Sequence, residues 1–195
     1  MTRARGLLWV CVVAFAGGFA LLGVLRQRAF ATGRFDLGNM TQAVWSTAHG
    51  RFLETTDLSG EQISRLGAHF DPILAAFAPL WWLWPDPSLL VVAQAVAVAI
   101  GAPAAFKLAR RHLDSEAAGV AFAVAYLAYP PVQWLVVNEF HPVALAAPLL
   151  LWGFWFLEDD RLVAFAAVAG VACLTKDEPL DEIVAAIKKA AGRGA

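Results

Sequence analysis

Long apolar stretches alternate with short polar ones along this chain. The first covers about residues 6–25 and holds no charged side chain. A helix rising 1.5 Å per residue needs roughly twenty residues to cross the hydrocarbon core of a bilayer. Arg3 and Arg5 precede it. A secretory signal also starts basic, but its apolar centre spans only about 7–15 residues, so the pattern predicts a retained anchor. Four further runs follow, over about 88–106, 117–137, 142–157 and 162–175. The second has one polar side chain past its start, Gln94, and is followed by Lys107, Arg110 and Arg111. The third is interrupted by Pro130-Pro131, and the fourth is followed by Glu158, Asp159, Asp160 and Arg161. The shorter runs must borrow flanking residues or thin the bilayer to cross.

Between the first two runs lies a segment of about sixty residues, 26–87. Within it, Leu37, Met40, Val44 and Ala48 fall on one face at helical spacing and predict an amphipathic helix over 36–49, closed by Gly50. The stretch "DPILAAFAPLWWLWPDP" is apolar but short. It could be a very short span, but it reads as a helix over 72–84 lying at the interface or dipping in and out, where Trp81, Trp82 and Trp84 keep one edge wet. The expected fold is therefore all-α and polytopic. It has about five transmembrane helices and interfacial helices in an outer loop, all in one membrane domain, 1–178. The tail, 179–195, is polar and predicts a short amphipathic helix.

Composition strengthens the membrane assignment. Of 195 residues, 59% are hydrophobic and 16% charged, against roughly 25% charged in a soluble domain, and the mean hydropathy is +0.60. The net charge of −1 gives no reason to expect a nucleic-acid partner. Cys11 and Cys173 lie far apart inside apolar runs and read as buried thiols.

Lysine and arginine near the span ends set orientation. With Arg3 and Arg5 cytoplasmic, the second run returns Lys107, Arg110 and Arg111 to the cytoplasm, and the fourth returns Arg161. Residues 26–87 and 137–141 then lie outside, on the extracytoplasmic face, with Lys176 at the outer surface. Arg26, Arg28, Arg34, Arg51 and Arg65 in the outer loop oppose the rule. They could serve an anionic lipid phosphate through bidentate hydrogen bonds or simply be solvated.

Chemistry gathers on that outer face. "RFDLGNMTQAVW" places Asp36 at the helix start, followed by Asn39 and Gln42. "HFDP" holds His69 and Asp71, and "NEFHP" holds Glu139 and His141, each ahead of a proline that suits the first turn of a helix. Capping alone would account for these acids. The functional expectation is that Asp36, Asp71 and Glu139, with His49, His69 and His141, converge on one outward pocket. Such a set could hold a divalent cation or act as a general base. The spacing matches no recognised metal motif.

Four stretches, "FDLGNMTQAVWSTAHGRF", "RLGAHFDPILAAFAPLWWLWP", "NEFHPVALAAPLLL" and "CLTKDE", resemble an uncharacterised family of bacterial polytopic membrane proteins, over about residues 30–178. That family resembles the GT-C superfamily of glycosyltransferases, which move a sugar from a polyprenyl-phosphate carrier to an acceptor outside the cell. The resemblance implies Asp36 as general base and Glu139 as a second catalytic acid. Lys176 is implied near the carrier phosphate, and the outer-face reading adds Arg34, Gln42, His49, Arg65, His69, Asp71 and His141 as expected substrate-binding residues. The resemblance implies a hexosyl or pentosyl transferase with no certain cofactor. Superfamily members usually have more spans, whereas the apolar runs here stop after the fifth. The accompanying expectation is a truncated product, inactive alone, or one that needs a membrane partner chain. The alternative is a lipid- or glycan-binding membrane subunit without catalysis. A transporter fits less well, because span interiors are nearly bare of polar groups apart from Gln94.

Overall fold

The computed structural model describes residues 3–32 and 35–175. Arg34, Lys176 and the expected tail helix over 179–195 lie outside the described residues. The described chain is mostly helical, with one small hairpin. Its order is α1 (Arg3–Arg28), α2 (Asp36–Ala48), β1 (Glu54–Thr56), β2 (Gln62–Ser64), α3 (Arg65–Ala68), a 3-10 turn (Pro72–Phe77), α4 (Ala78–Trp81), α5 (Ser88–Ala99) and α6 (Gly101–Leu113). After these come α7 (Glu116–Ala128), α8 (Pro130–Val137), a second 3-10 turn (Pro142–Leu145), α9 (Ala146–Glu158) and α10 (Leu162–Cys173).

Two helices are long and apolar enough to cross a membrane alone: Arg3–Arg28 and the nearly continuous Ser88–Leu113 formed by α5 and α6, each of 26 residues. A third crossing exists if α7 and α8 count as one span bent by 48° at Pro130. Proline removes a backbone donor and its ring clashes with the preceding turn, so a break falls there. The remaining apolar helices, Pro142–Glu158 and Leu162–Cys173, are shorter. The twelve residues of α10 reach about 18 Å, against a core of about 30 Å. Of the five expected spans, two are thus clear, one is bent and two are short.

The spans pack through small residues. α1 lies against α5 and α7, α6 against α7 and α9, and α9 against α10. A Cβ at Gly23 would collide with the Val91 side chain, and one at Gly119 with the Phe106 ring, so these glycines let neighbouring backbones approach. A core of Leu8, Val12, Phe15, Val98, Phe106, Leu127 and Val136 fills the bundle.

A second core sits under a cap made from residues 36–81. α2 buries Leu37, Met40 and Val44 against Leu53, Leu74, Trp81, Leu90, Phe140 and Leu145. The hairpin, which the expected all-helical loop did not include, pairs Thr55 with Ile63 in antiparallel register. Its turn is built locally. Asp57 Oδ1 accepts the Ser59 N–H at 2.8 Å, the Ser59 hydroxyl at 2.7 Å and the Glu61 N–H at 2.9 Å, and Gly60 takes φ +88°. These bonds hold the Asp57 carboxyl below its ordinary value, the Ser59 hydroxyl first among them.

The two ends of the bundle differ in chemistry. At one end, under the cap, lie Gln27 beside Ser88, the extended residues 138–141, and the Leu174 carbonyl, which accepts the Ile73 N–H at 3.1 Å. At the other end, Arg5 and Arg110 face Glu116, Arg111 faces Asp159 and His112 faces Glu158.

Candidate functional site

At the cap end a cavity of about 220 Å³ opens between α1, α2 and the segment after α8. Arg26, Thr32, Asp36, Asn138, Glu139 and His141 line it, with Val137. The pocket forms because α8 stops at Val137 and the chain runs extended to Pro142 before turning into α9. That break carries Glu139 and His141 to the first turn of α2.

A span that breaks inside an apolar bundle leaves backbone groups without partners. Gln94 supplies them. It sits about 9 Å below the start of α5 at 1.5 Å per residue. Its amide nitrogen donates to the Leu135 carbonyl at 2.8 Å and the Glu139 carbonyl at 3.4 Å, and its amide oxygen accepts the His141 N–H at 2.8 Å. The amide side chain offers both a donor and an acceptor at this position. Gln94 is therefore the residue that shapes the acidic corner. As a lone polar residue in an apolar run it was visible in the sequence, but its task was not.

Glu139 then does the capping that was one of two readings of Asp36. The residue before α2 is Phe35, which makes no side-chain cap, and Asp36 is already the first helical residue. Glu139 Oε2 accepts the Leu37 N–H at 2.8 Å, satisfying one of the helix's orphan donors from 102 residues away. Its other oxygen, Oε1, is buried without a protein partner among the described residues. Asp36 is thereby released from capping. Its carboxylate is half exposed and lies 3.3 Å from His141 Nε2. The far nitrogen of that ring, Nδ1, lies 2.9 Å from the Glu139 carbonyl, which can only accept. With both groups this exposed, the Asp36–His141 contact is worth about 1 kcal/mol or less. Both acids stand at the positive end of the α2 dipole, which favours negative charge there.

The other expected site residues lie elsewhere on the cap. Arg65 and Asp71 form a buried pair. Arg65 Nε lies 2.9 Å from each Asp71 oxygen and Nη2 lies 2.6 Å from Oδ2, while Nη1 donates to Asn39 Oδ1 at 2.6 Å. This network braces α2 one turn beyond Asp36 and does not line the cavity. His69 continues the same segment, its N–H donating to the Arg65 carbonyl at 2.7 Å. Gln42 donates to the Thr56 hydroxyl at 2.7 Å and accepts the Thr56 N–H at 3.1 Å, tying α2 to the hairpin. His49 follows the far end of α2, with Nδ1 2.7 Å from the Trp45 carbonyl. The structure thus brings together Asp36, Glu139 and His141, and adds Arg26, Thr32 and Asn138 to them. Arg26 was visible as a loop arginine against the orientation rule; Thr32 and Asn138 carried no signal. Among the described residues, no three His, Cys, Asp or Glu side chains are grouped as a metal ion would need.

Long apolar helices that expose large side chains such as Val13 and Leu21, joined by a cap over one end, define a mostly helical membrane protein associated with the lipid bilayer. The chain belongs to the family described as "Predicted membrane protein (DUF2079)", whose sequence profile matches residues 26–179. That description names a membrane protein and no reaction. Neither a curated protein nor a solved structure matches the chain.

Proposed function

We propose that the cap-end pocket serves sugar transfer from a polyprenyl-phosphate carrier on the extracytoplasmic face of a bacterial membrane. The observation that carries this reading is the division of labour between the two acids. Glu139 caps α2, so the Asp36 carboxylate is left facing a cavity beside His141. In the reaction, Asp36 takes the proton of an acceptor hydroxyl as that oxygen attacks the anomeric carbon. The bond from that carbon to the carrier phosphate breaks, and the phosphate leaves with the electron pair. Arg26, in the cavity wall, offsets the charge that develops on it. His141 positions the carboxylate. The clustering of Arg5, Lys107, Arg110 and Arg111 at the opposite end supports placing that end in the cytoplasm.

Transfer from radiolabelled polyprenyl-phosphate hexoses and pentoses by the purified full chain tests the proposal. Asp36→Asn is expected to lower the rate by about 10²–10⁴-fold, the usual contribution of a general base, with helix content unchanged. An active chain whose Asp36→Asn variant matches it would refute the assignment.

The size of the cavity favours a second reading. At about 220 Å³ it falls below the roughly 300–1,000 Å³ of typical ligand sites. Such a pocket suits one headgroup better than donor and acceptor together. A lipid- or glycan-binding subunit would bind the carrier, show no turnover, and co-purify with another membrane chain.

A further inference from the structure

At the end opposite the cap, a cavity of about 570 Å³ lies between α1, α6 and α9. Four cations line it, Arg5, Lys107, Arg110 and Arg111, against a single acid, Asp114. Two more acids reach the arginines: Glu116 stands 3.7 Å from Arg5 and 3.9 Å from Arg110, and Asp159 stands 3.5 Å from Arg111. These are loose, partly exposed contacts that leave donors available. Lys107 has no carboxylate within 4.0 Å among the described residues. Its ammonium instead lies over two indoles, 5.2 Å from the Trp152 ring and 4.9 Å from the Trp155 ring. Such contacts hold a cation in place without neutralising it.

A shallow, open apolar groove adjoins this cavity. Gly6, Trp9, Val10, Val13 and Ala14 line it, along one face of α1. Trp9 belongs to both walls, so a basic pocket passes into an apolar groove at one indole. Val10 and Val13 are 64% and 67% exposed there. A ligand matching both parts has an anionic head and a hydrocarbon tail. Basic pockets between membrane helices at the interface hold anionic headgroups in this way.

We infer that this composite site binds an anionic phospholipid, its phosphate among Arg5, Lys107, Arg110 and Arg111 and one acyl chain along α1 past Trp9. The inference is independent of the transferase reading, since it concerns the other end of the helices. The surplus of positive charge in the wall is met by the single negative charge of a phosphodiester. Trp9 and Trp155 both line the basic cavity, and tryptophan collects at headgroup depth.

Native mass spectrometry of the full chain in detergent, with equimolar dioleoyl phosphatidylglycerol and dioleoyl phosphatidylcholine, tests it. Phosphatidylglycerol adducts should predominate. The Lys107→Gln/Arg110→Gln double variant should lose that preference by roughly 30-fold, at about fivefold per cation. Arg51→Gln, at the cap end, should keep it. If the double variant fails to fold by circular dichroism, Lys107→Gln alone, expected at about fivefold, carries the test. Equal adducts of the two lipids would overturn the inference, as would an unchanged preference in the variants. Inorganic phosphate is the probe for the other source of the same chemistry. Millimolar phosphate should leave the lipid bound; if it displaces the lipid, the groove contributes nothing and the lipid assignment falls.

Discussion

Replacing Gln94 by leucine keeps the volume of the side chain and removes its amide. Three hydrogen bonds go, to the Leu135 and Glu139 carbonyls and from the His141 N–H. The Glu139 carbonyl still has the His141 ring at 2.9 Å, and its bond to Gln94 was long. The Leu135 carbonyl, near the C-terminus of α8, and the His141 N–H, in the extended segment, are the groups left exposed to an apolar surrounding. Each orphaned group costs about 1–3 kcal/mol, for roughly 2–6 kcal/mol together. Interactions between membrane helices tend toward the low end, averaging about 0.6 kcal/mol each, and leucine adds apolar contact. The expected loss is therefore about 2–4 kcal/mol. It should appear as an earlier midpoint when the chain in mixed micelles is unfolded with sodium dodecyl sulfate and followed by circular dichroism. Hydrogen exchange gives the local readout, since the His141 amide should exchange much faster. A midpoint change under about 0.5 kcal/mol, with exchange at His141 unaltered, would refute the claim that Gln94 holds the acidic corner together.

Arg65→Met should weaken the cap by about 3 kcal/mol, because a buried guanidinium that bonds Asp71 and Asn39 is lost from one side of a buried pair. Limited proteolysis within residues 50–70, faster in the variant, is the check. Asp57 makes the hairpin sensitive to acid. Its folded value lies below the ordinary 3.8, so the stability it lends is full above pH about 4 and falls as pH drops through the folded value. Exchange at the Ser59 and Glu61 amides should quicken over that range, and Asp57→Asn should remove the pH dependence.

The apolar runs were the legible part of this fold. Residues 6–25 needed only their length and lack of charge, and α1 occupies that stretch. Leu37, Met40 and Val44 read as one face because helical spacing is local information, and that face is buried. The hairpin was not legible, since two three-residue strands are too short to show alternation and are held by Asp57 and by Gln42. Arg65 and Asp71 read as ligand groups because charge is visible in a sequence and pairing is not. At the pocket, the residue types Asp36, Glu139 and His141 were visible. That Glu139 would take the cap and free Asp36 depends on a contact across 102 residues, which no local pattern carries.

The second core has a consequence for how the protein is made. Its residues come from two distant parts of the chain, with Phe140 and Leu145 packed among Leu37, Met40, Leu74 and Trp81 and the Phe140 ring edge-on to Phe77 at 5.7 Å. Synthesis delivers the α2 segment first and residues 138–145 only after α7 and α8. Until then the underside of the cap meets Leu89, Leu90 and Val91 but lacks the wall made by Phe140 and Leu145. The acidic corner is thus a late product of biogenesis, assembled only when the ribosome has passed Leu145.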